Sequence, residues 1–433
     1  MSNEKKEIIK GKEDLEGFSR FALFQVTVIG LLWLADTFFY FFEQQIFNTY
    51  VTNVLLESDL LVAAVMVPSS AAIGLIFNFF WGIVSDNTRS KLGRRRPYLL
   101  FSIFAGIGMI LFALSRNYLL CYLFDVFLIG ITANAVSVAS RSLIPDVVGL
   151  EKRGRANGIV QFVSNIGLIL GLVLFLLTRD SLASENIPTT LNTHILLLTI
   201  GGCVYIACGI IGFFLIKEKP PSELPPKKKF TEELKELTDL TLLKEQNNFF
   251  RVIVATTVYQ TGIGSVMALL FIWILNDLPF GMVELMIAIG VGFLALFPSV
   301  ILIGRLADKF GRKKFFPPII LLIAIAFFFV PVAQLTGNLI IFIIVTPFML
   351  IGLLGLNTNI NTWAQDTLPE GKRGQFYGIF NITLTVPQII GGILGGIVSF
   401  VFVRSAIFIL AAIFFLASIP FFLYVKETLE VEK

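Results

Sequence analysis

Twelve apolar segments, each close to the length that crosses a lipid bilayer, constrain this chain more than any other feature of its sequence. A membrane-spanning helix needs about 20 predominantly apolar residues, because the hydrocarbon layer of a bilayer is about 30 Å thick. The predicted spans cover residues 21–45, 60–84, 97–115, 118–140, 157–178, 192–216, 249–275, 284–304, 316–335, 339–360, 376–401 and 405–425.

The composition argues against a soluble protein. Hydrophobic residues make up 56% of the 433 residues and charged residues only 15%. A chain of this kind has too little polar surface to cover its apolar core in water. We therefore expect an all-α integral membrane protein with twelve transmembrane helices.

The distribution of basic residues predicts which side of the membrane each loop faces. Lys and Arg residues near the ends of spans stay on the cytoplasmic side. With the N-terminus inside, only Arg116, Arg179 and Arg404 of the 34 basic residues lie outside. We expect a multi-pass protein of the cell membrane with both termini in the cytoplasm. The net charge of +4 reflects this topology and does not indicate nucleic-acid binding.

A hydrophilic segment divides the spans into two groups of six. It reads KEKPPSELPPKKKFTEELKELTDLTLLKEQ, and its prolines end one helix while its later leucines predict a short amphipathic helix at the membrane surface. The predicted organisation is a cytosolic tail (1–20), a six-helix half (21–216), a cytosolic linker (217–248), a second six-helix half (249–425) and a cytosolic tail (426–433).

Two pairs of charged loops repeat between the halves. DVVGLEKRGRANG, between spans 4 and 5, and DTLPEGKRGQFYG, between spans 10 and 11, both fit D-x5-K-R-G-x3-G about 220 residues apart. GIVSDNTRSKLGRRRP, between spans 2 and 3, and GRLADKFGRKK, between spans 8 and 9, share G-x3-D followed by G-R. Two matches in register predict pseudo-symmetric halves. The residues of these repeats are Asp146, Arg153, Asp366 and Arg373 in the first pair, and Gly82, Asp86, Arg89, Gly93, Arg94, Gly304, Asp308, Gly311 and Arg312 in the second.

These loops and the arrangement of six plus six spans resemble the major facilitator superfamily. The halves of such proteins are parallel repeats, with the substrate site between them near the middle of the bilayer. GRLADKFGRKK is similar to the loop signature of that superfamily, and SDNTRSKLGRRRP resembles the version found in plant sucrose transporters and in the melibiose permease group of sugar:cation symporters. The resemblance implies the major facilitator fold and a secondary transporter of sugars that works by rocking of its halves.

The acids and glycines of the second pair of loops predict a cytoplasmic gate. Gly304 and Gly311 let the chain turn where a side chain would clash. Asp86 and Asp308 can each face the positive N-terminal end of a helix in the opposite half, a contact worth about 0.3–2 kcal/mol. Because that contact exists only while the cytoplasmic mouth is shut, it would favour the outward-open state. The alternative is that the bases of these loops only fix the topology.

Three acids lie inside the predicted spans, where ionisable side chains are costly and usually functional. Asp36 and Glu43 are on span 1 and Asp125 is on span 4. Asp36 has no base within one helical turn, so we expect its neutral form to be favoured and expect it to load and release a proton. Asp36 and Asp125 lie at similar depth and could share a cavity. The alternatives are a structural hydrogen bond for Asp36 and hydration at the outer interface for Glu43.

The family resemblance adds expectations for these positions. In the melibiose permease group an acid on the first helix contacts sugar, and Asp36 matches its position. Two acids on that group's second helix bind sodium, and Gly74 and Asn78 stand there in this chain. The resemblance therefore implies a proton rather than sodium as the coupling ion. Arg141, in SRSLIPD, is similar to an arginine of the sucrose transporters, and it could bind substrate, pair with an acid such as Asp146, or anchor the span.

Neutral polar side chains on other spans are candidates for contacts with sugar hydroxyls. A polyol needs hydrogen-bond donors and acceptors beside an aromatic face, and Trp33 next to Asp36 could supply that face. Any one of these residues could instead join two helices by a hydrogen bond. As a set they suit an uncharged substrate. The candidates are Trp33, Asn78, Gln161, Asn165, Tyr259, Gln260, Asn357, Asn359, Asn381 and Gln388.

These patterns favour a proton-coupled symporter of a sugar or glycoside that acts as a monomer without a cofactor. The sequence has no nucleotide-binding loop, no metal-ligand spacing and only one histidine, so we expect no enzyme activity, no catalytic residues and no metal. The expected partners are a small-molecule substrate and the bilayer, and not nucleic acid. The alternatives are a transporter of another small solute or an amphipathic lipid, an uncoupled facilitator, and a non-transport membrane protein on the same scaffold.

Overall fold

The structure is a computed structural model that describes residues 20–148, 153–218, 227, 229–231, 247–356, 359–360, 363–364, 367 and 373–427, without the side chains at positions 154, 308 and 373–381. The predicted amphipathic helix of the linker and most of both predicted tails lie outside these residues.

Six apolar helices precede the linker. They are α1 Arg20–Asn53, α2 Leu61–Asn87, α3 Arg96–Leu114, α4 Tyr118–Val147, α5 Arg153–Leu182 and α6 Ile187–Leu215. The start of α4 follows from its cap, since the side chain of Asn117 accepts a hydrogen bond from the backbone N–H of Leu120. The first helix continues to Asn53 and is therefore longer than the predicted span 21–45.

Six further apolar helices follow the linker. They are α7 Asn247–Asn276, α8 Met282–Phe310, α9 Arg312–Thr336, α10 Leu339–Gly355, α11 Arg373–Val401 and α12 Ala406–Tyr424. Gly337 ends α9 in the left-handed conformation at φ 60°, and the side chain of Asn338 accepts hydrogen bonds from the first turn of α10. The predicted fold of twelve transmembrane helices in two halves is confirmed.

In the part of the chain that the structure describes, four π-helical turns interrupt the α-helices. They are Phe42–Ile46 in α1, Leu61–Met66 in α2, Phe124–Ile129 in α4 and Ile351–Gly355 in α10. A π turn accommodates one extra residue and is frequent at functional sites. Two of these turns contain in-span acids, Glu43 in α1 and Asp125 in α4.

The helix contacts repeat between the halves. α1 packs along α5 as α7 packs along α11, α3 packs on α6 as α9 packs on α12, and α2 packs on α4 as α8 packs on α10. A Cβ at Gly167 in α5 would lie 2.4 Å from the carbonyl oxygen of Leu34, and a Cβ at Gly391 in α11 would lie 2.1 Å from that of Thr261. Glycine allows this backbone approach at equivalent places, as is common between membrane helices. The two halves therefore show the predicted pseudo-symmetry.

The two ends of the molecule differ in what they contain. The end with the chain termini and the linker is called the linker end below, and the end with the α1–α2, α3–α4, α5–α6, α7–α8, α9–α10 and α11–α12 connections is called the far end. The halves meet mainly through α1, α2 and α5 on one side and α7, α8 and α11 on the other. Near the far end, the carbonyl oxygen of Ala63 in α2 lies 3.2 Å from the position of a Cβ at Gly392 in α11. The interface is therefore closely packed at this end.

Candidate functional site

Asp36 accepts hydrogen bonds from two other helices of its half. Its side chain lies within α1 and the residue is 5% exposed. Ser137 of α4 donates to Oδ2 and Tyr205 of α6 donates to Oδ1, each over 3.1 Å. The ring of Phe39 stacks on Tyr205 with 4.1 Å between the ring centres. Because both carboxyl oxygens are bonded, the side chain of Asp36 is held in one orientation.

Arg141 provides the positive charge nearest to Asp36. Its Nη2 lies 3.8 Å from Oδ2 of Asp36, and its side chain is 61% exposed whereas that of Asp36 is 7% exposed. Arg141 follows Ser137 by one turn of α4, so both side chains reach Asp36 from the same helix face. Asp36 has no base within one turn of its own helix, as the sequence indicates, but Arg141 reaches it from α4. The suggested pairing of Arg141 with Asp146 is wrong, as described below.

The side chains of Trp33, Thr37 and Ser164 lie beside the Asp36–Arg141 pair. The indole Nε1 of Trp33 donates to the carbonyl oxygen of Ser140 over 3.3 Å. The hydroxyls of Thr37 and Ser164 are 2.6 Å apart, and Ser164 also reaches the carbonyl oxygen of Trp33 at 3.3 Å. These bonds fix α1 against α4 and α5, and they place a half-buried aromatic ring one helical turn from Asp36.

Glu43 and Asp125 form a second polar site in the same half. The carboxyl group of Glu43 in α1 lies within hydrogen-bonding reach of that of Asp125 in α4, and Ser70 of α2 donates to Oε1 of Glu43 over 3.2 Å. Asp125 is 2% exposed. The structure thus divides the three in-span acids into two sites, with Asp36 bound to Arg141 and Asp125 bound to Glu43. The sequence left open that Asp36 and Asp125 share a cavity. In the structure the acid beside Asp125 is Glu43.

Five of the neutral polar candidates are hydrogen-bonded, four of them to one another in two pairs. Gln161 donates to Asn165 over 3.1 Å on α5, and Gln388 of α11 donates to Gln260 of α7 over 3.2 Å. Asn78 of α2 donates to Asn134 of α4 over 3.3 Å. Gln161, Asn78 and Gln388 are exposed although they lie within apolar helices.

The other neutral candidates are less accessible or not described. Tyr259 is fully buried, and its hydroxyl donates to the carbonyl oxygen of Gly352 over 2.6 Å. It therefore serves packing between α7 and α10. Asn359 faces α8, where its Oδ1 lies 3.2 Å from the position of a Cβ at Gly304. Asn357 and the side chain of Asn381 lie outside the described residues.

At the linker end, the charged residues of the first half bind one another. Arg94 forms a two-bond pair with Asp146, and Arg95 binds both Asp86 and Asp146. Gly93, at φ 111°, turns the chain so that the backbone N–H groups of residues 94–96 donate to Glu218. Burial alone lowers the pKa of Arg94, but the hydrogen bond and charge of Asp146 raise it above its ordinary value. This loop is therefore fixed to α4 and to the end of α6.

The other residues of the repeated loop motifs lie at helix ends or outside the residues that the structure describes. Arg89 donates to the carbonyl oxygen of Asp86 over 2.8 Å, and Arg153 donates to that of Pro145 over 2.7 Å. Gly82 has open space beside it, Gly311 joins α8 to α9 at φ 89°, and Arg312 is 5% exposed. The side chains of Asp308 and Arg373, and all of Asp366, lie outside the described residues. The gate contact of Asp86 and Asp308 with the opposite half stays a prediction.

The far end carries a network that the sequence did not predict. Arg404, between α11 and α12, binds Asp59 of the first half at 2.8 Å and also binds Asp277 of its own half. Arg179 of α5 donates to the carbonyl oxygens of Ile274 and Leu278 in the second half, each over 3.3 Å. Burial alone lowers the pKa of Arg404, but Asp59 and Asp277 raise it above its ordinary value, so its charge is retained.

A signal for this network was present in the sequence. The positive-inside rule makes bases rare at the far end, and two of the three that occur there, Arg179 and Arg404, bind across the interface between the halves. A base that departs from this rule is therefore a candidate for a contact that closes the far end.

Twelve membrane helices in two pseudo-symmetric halves, with buried polar sites near an interface that is closed at one end, define a membrane transporter built from two halves. The chain belongs to the Major Facilitator Superfamily, whose sequence profile matches residues 34–392. It is a multi-pass membrane transporter that takes a small-molecule substrate.

Two curated relatives match parts of the chain. The sucrose transport protein SUC3 of Arabidopsis thaliana is 30% identical over 181 residues, which are 34% of this chain and 29% of that protein. The general alpha-glucoside permease of Schizosaccharomyces pombe is 28% identical over 117 residues, which are 23% of this chain and 21% of that protein. The chain thus spans less than a third of the length of either relative.

Solved structures of low sequence identity share the fold over nearly the whole chain. The nucleoside transporter NupG has a TM-score of 0.72 at 12% identity, covering 94% of this chain and 99% of its own. A D-xylose-proton symporter has a TM-score of 0.66 at 16% identity, covering 94% of this chain and 98% of its own. These similarities establish the fold. The substrate has to be inferred from the residues of the candidate site.

Proposed function

We propose that this protein is a secondary active transporter that moves a sugar or glycoside together with protons by alternating access. The ion pair of Asp36 and Arg141 carries this proposal, because one partner is buried and the other is 61% exposed within an apolar helix bundle. Charged side chains at such depth usually serve transport. The names of the two curated relatives and of the D-xylose-proton symporter support the substrate class.

The substrate would bind where donors, acceptors and an aromatic ring converge. The carboxyl group of Asp36 can accept hydrogen bonds and, when protonated, donate one, the guanidinium of Arg141 donates them, and both chemistries suit adjacent hydroxyl groups. Trp33 offers a ring face beside them, and Gln161 adds an exposed amide on α5. Gln388 lies on α11 in the opposite half, so a substrate bound to both sets of side chains would join the two halves.

The ion pair also suggests how protons are coupled to the substrate. A proton on Asp36 removes the negative charge that holds Arg141, which leaves the guanidinium free to donate to substrate hydroxyls. The protonated carrier would thus bind substrate best, and loss of the proton on the other side would restore the ion pair and release the substrate. Asp36 is accordingly the proposed coupling acid, with a proton rather than sodium as the coupling ion.

The proposed orientation places the linker end in the cytoplasm of a cell and the far end outside, for a carrier that acts as a monomer. The distribution of Lys and Arg supports this, since only Arg116, Arg179 and Arg404 lie at the far end.

A thermal-shift screen against mono- and disaccharides tests the substrate class. A ligand at 100 times its Kd adds about 2.7 kcal/mol to the free energy of unfolding, so a substrate should raise the melting temperature of the purified protein. The Arg141→Gln variant should lose this shift. Asp180→Asn is the matched control, because the side chain of Asp180 is 82% exposed at the far end. If no saccharide shifts the wild type, or if a dispersed lipid shifts it instead, the sugar proposal fails.

Transport by Asp36→Asn in proteoliposomes tests the coupling acid. The amide keeps the shape of Asp36 but does not titrate, so uptake driven by a pH gradient should vanish while exchange at equal concentrations persists. Accumulation by Asp36→Asn at the wild-type level would exclude Asp36 as the coupling acid. Wild-type uptake that never exceeds equilibration would indicate an uncoupled facilitator.

A further inference from the structure

The Glu43–Asp125 contact joins two acids that meet without a base. The carboxyl groups come from π turns on two different helices, and Ser70 of α2 donates to Glu43 over 3.2 Å. In the described part of the chain, neither carboxyl forms an ion pair with Lys, Arg or His. Two carboxylates in contact at this depth would repel each other, and no positive charge is present to compensate.

A hydrogen bond between two carboxyl groups requires one proton. An ionised carboxyl group only accepts hydrogen bonds, so the direct contact of Glu43 and Asp125 exists only when one of the two oxygens in it carries a hydrogen. A second observation points to the same site. Asp125 is 2% exposed, and no N–H or O–H donor of the described residues reaches its buried Oδ1, which costs more for a carboxylate than for a neutral carboxyl group.

We propose that Glu43 and Asp125 share one bound proton at a site separate from the Asp36–Arg141 pair. The site lies where α1, α2 and α4 meet, and all of its ligands belong to the first half. A metal ion is the less suitable occupant, because no three His, Cys, Asp or Glu residues of the described chain come together there or elsewhere. Two carboxyls and one hydroxyl donor match a proton better than a cation that requires six or more oxygen ligands.

The titratable groups that face the pair are Tyr40 of α1 and Tyr118 and Cys121 of α4. None of them carries a positive charge. Tyr40 also faces Asp36, so it lies between the two sites on α1. The use of this second proton in transport rests on the proposed function, whereas its presence on the pair does not.

Infrared spectroscopy of the purified protein tests the shared proton without any substrate. A protonated carboxyl gives a C=O stretching band that an ionised carboxyl lacks, and the band moves to lower frequency in D2O. The wild type should show this band near neutral pH. Glu43→Gln and Asp125→Asn should each reduce the band by the intensity of one protonated carboxyl group. In each variant the new amide N–H donates to the remaining carboxylate, so that carboxylate stays ionised and the shared proton is no longer bound.

If Glu43 and Asp125 share one proton, a variant that replaces both acids has a specific expected band intensity. Glu43→Gln combined with Asp125→Asn should lose no more band intensity than either single variant, since only one proton is present. A loss twice as large would mean that each acid binds its own proton, and would overturn the proposal. Asp180→Asn, the exposed control, should leave the band unchanged.

Three further readouts keep the test decisive. Asp36→Asn should leave the intensity assigned to the pair in place, and loss of that intensity in Asp36→Asn would overturn the proposal. Sodium chloride at constant pH should not change the band, whereas its removal by sodium would identify a cation site instead. If the amide variants do not fold, Ser70→Ala should raise the band frequency by removing one hydrogen bond from Glu43, and an unchanged frequency would contradict the assignment.

Discussion

The far end and the linker end both contain arginine–aspartate networks, and among the described residues the network at the far end crosses between the halves whereas the one at the linker end lies within the first half. Arg404 of the second half binds Asp59 of the first, and Arg179 of the first half binds backbone carbonyls of the second. At the linker end Arg94 and Arg95 bind Asp86 and Asp146, and all four belong to the first half.

Arginine–aspartate contacts between the halves and those within one half should therefore have different effects on the conformational equilibrium. A bond that crosses the interface must break whenever the far end opens, so its free energy contributes directly to the ratio of closed to open molecules. A bond within one half moves with that half and leaves the ratio unchanged. We therefore expect variants at the far end to change the conformational equilibrium, and variants of the Arg94–Asp146 pair to change the stability of the first half.

Replacement of Arg404 should have the largest effect on the equilibrium. A hydrogen bond to a charged group is worth about 1.5–3 kcal/mol, so Arg404→Gln should lower the ratio of closed to open molecules roughly 10- to 150-fold. Spin labels at the exposed positions Glu185 and Pro279, in a background without the three native cysteines, would report the separation of the halves at the far end.

The matched control for Arg404→Gln is Arg116→Gln. Arg116 is exposed at the same end, and it forms no ion pair within the described part of the chain. Its replacement should leave the label distances at the wild-type values. If Arg404→Gln also leaves them unchanged, the Arg404–Asp59 bond does not hold the far end closed.

Replacement of Arg179 should have a smaller effect in the same direction. Its acceptors are the neutral carbonyl oxygens of Ile274 and Leu278, each 3.3 Å away and so beyond the usual N–H···O distance, and we expect these long bonds to contribute about 0.5–1.5 kcal/mol. Arg179→Gln should therefore lower the ratio of closed to open molecules about 2- to 10-fold, measured with the same labels. A larger change than that of Arg404→Gln would reverse the order of the two contacts.

The smallest effect is expected at the linker end from Asp86→Asn combined with Asp308→Asn. If these acids face helix ends of the opposite half when the linker end closes, each such contact at an exposed acid contributes about 0.3–1 kcal/mol to that state, which is less than either arginine contact at the far end. Labels at Lys91 and Phe310, both exposed, should then show a larger open fraction at the linker end. Unchanged distances would limit Asp86 to its pairing with Arg94 and Arg95.

The sequence predicted the architecture because span length, basic loops and internal repeats are local properties. Asp36 could be singled out for the same reason, since an acid in an apolar span is rare. Its partner could not, because Arg141 approaches from α4 and only helix packing brings the two together. Arg94 and Arg95 likewise use Asp146, which the sequence left open as a partner for Arg141.

The pairing of Glu43 with Asp125 was beyond the sequence for a further reason. Both acids lie in π turns, and the regular α-helical spacing used to judge faces and depth does not hold across such a turn. The sequence leaves hydration at the outer interface open for Glu43, whereas the structure brings Glu43 to a buried acid on another helix. Contacts between loops, such as Arg404 with Asp59, depend on closure of the whole molecule and leave no local pattern.

The π turn at Phe42–Ile46 also gives α1 a property that a regular helix would lack. Asp36 precedes this turn, and Asn48, which donates to the carbonyl oxygen of Ala268 in the other half, follows it. One residue corresponds to about 100° of rotation around an α-helix, so tightening the π turn would rotate the part of α1 beyond it by roughly that angle. The segment with Asn48 could thus twist against α7 while Asp36 keeps its place beside Arg141. The π turn is therefore a hinge within the first helix, and it lies between the Asp36–Arg141 pair and the closed far end of the carrier.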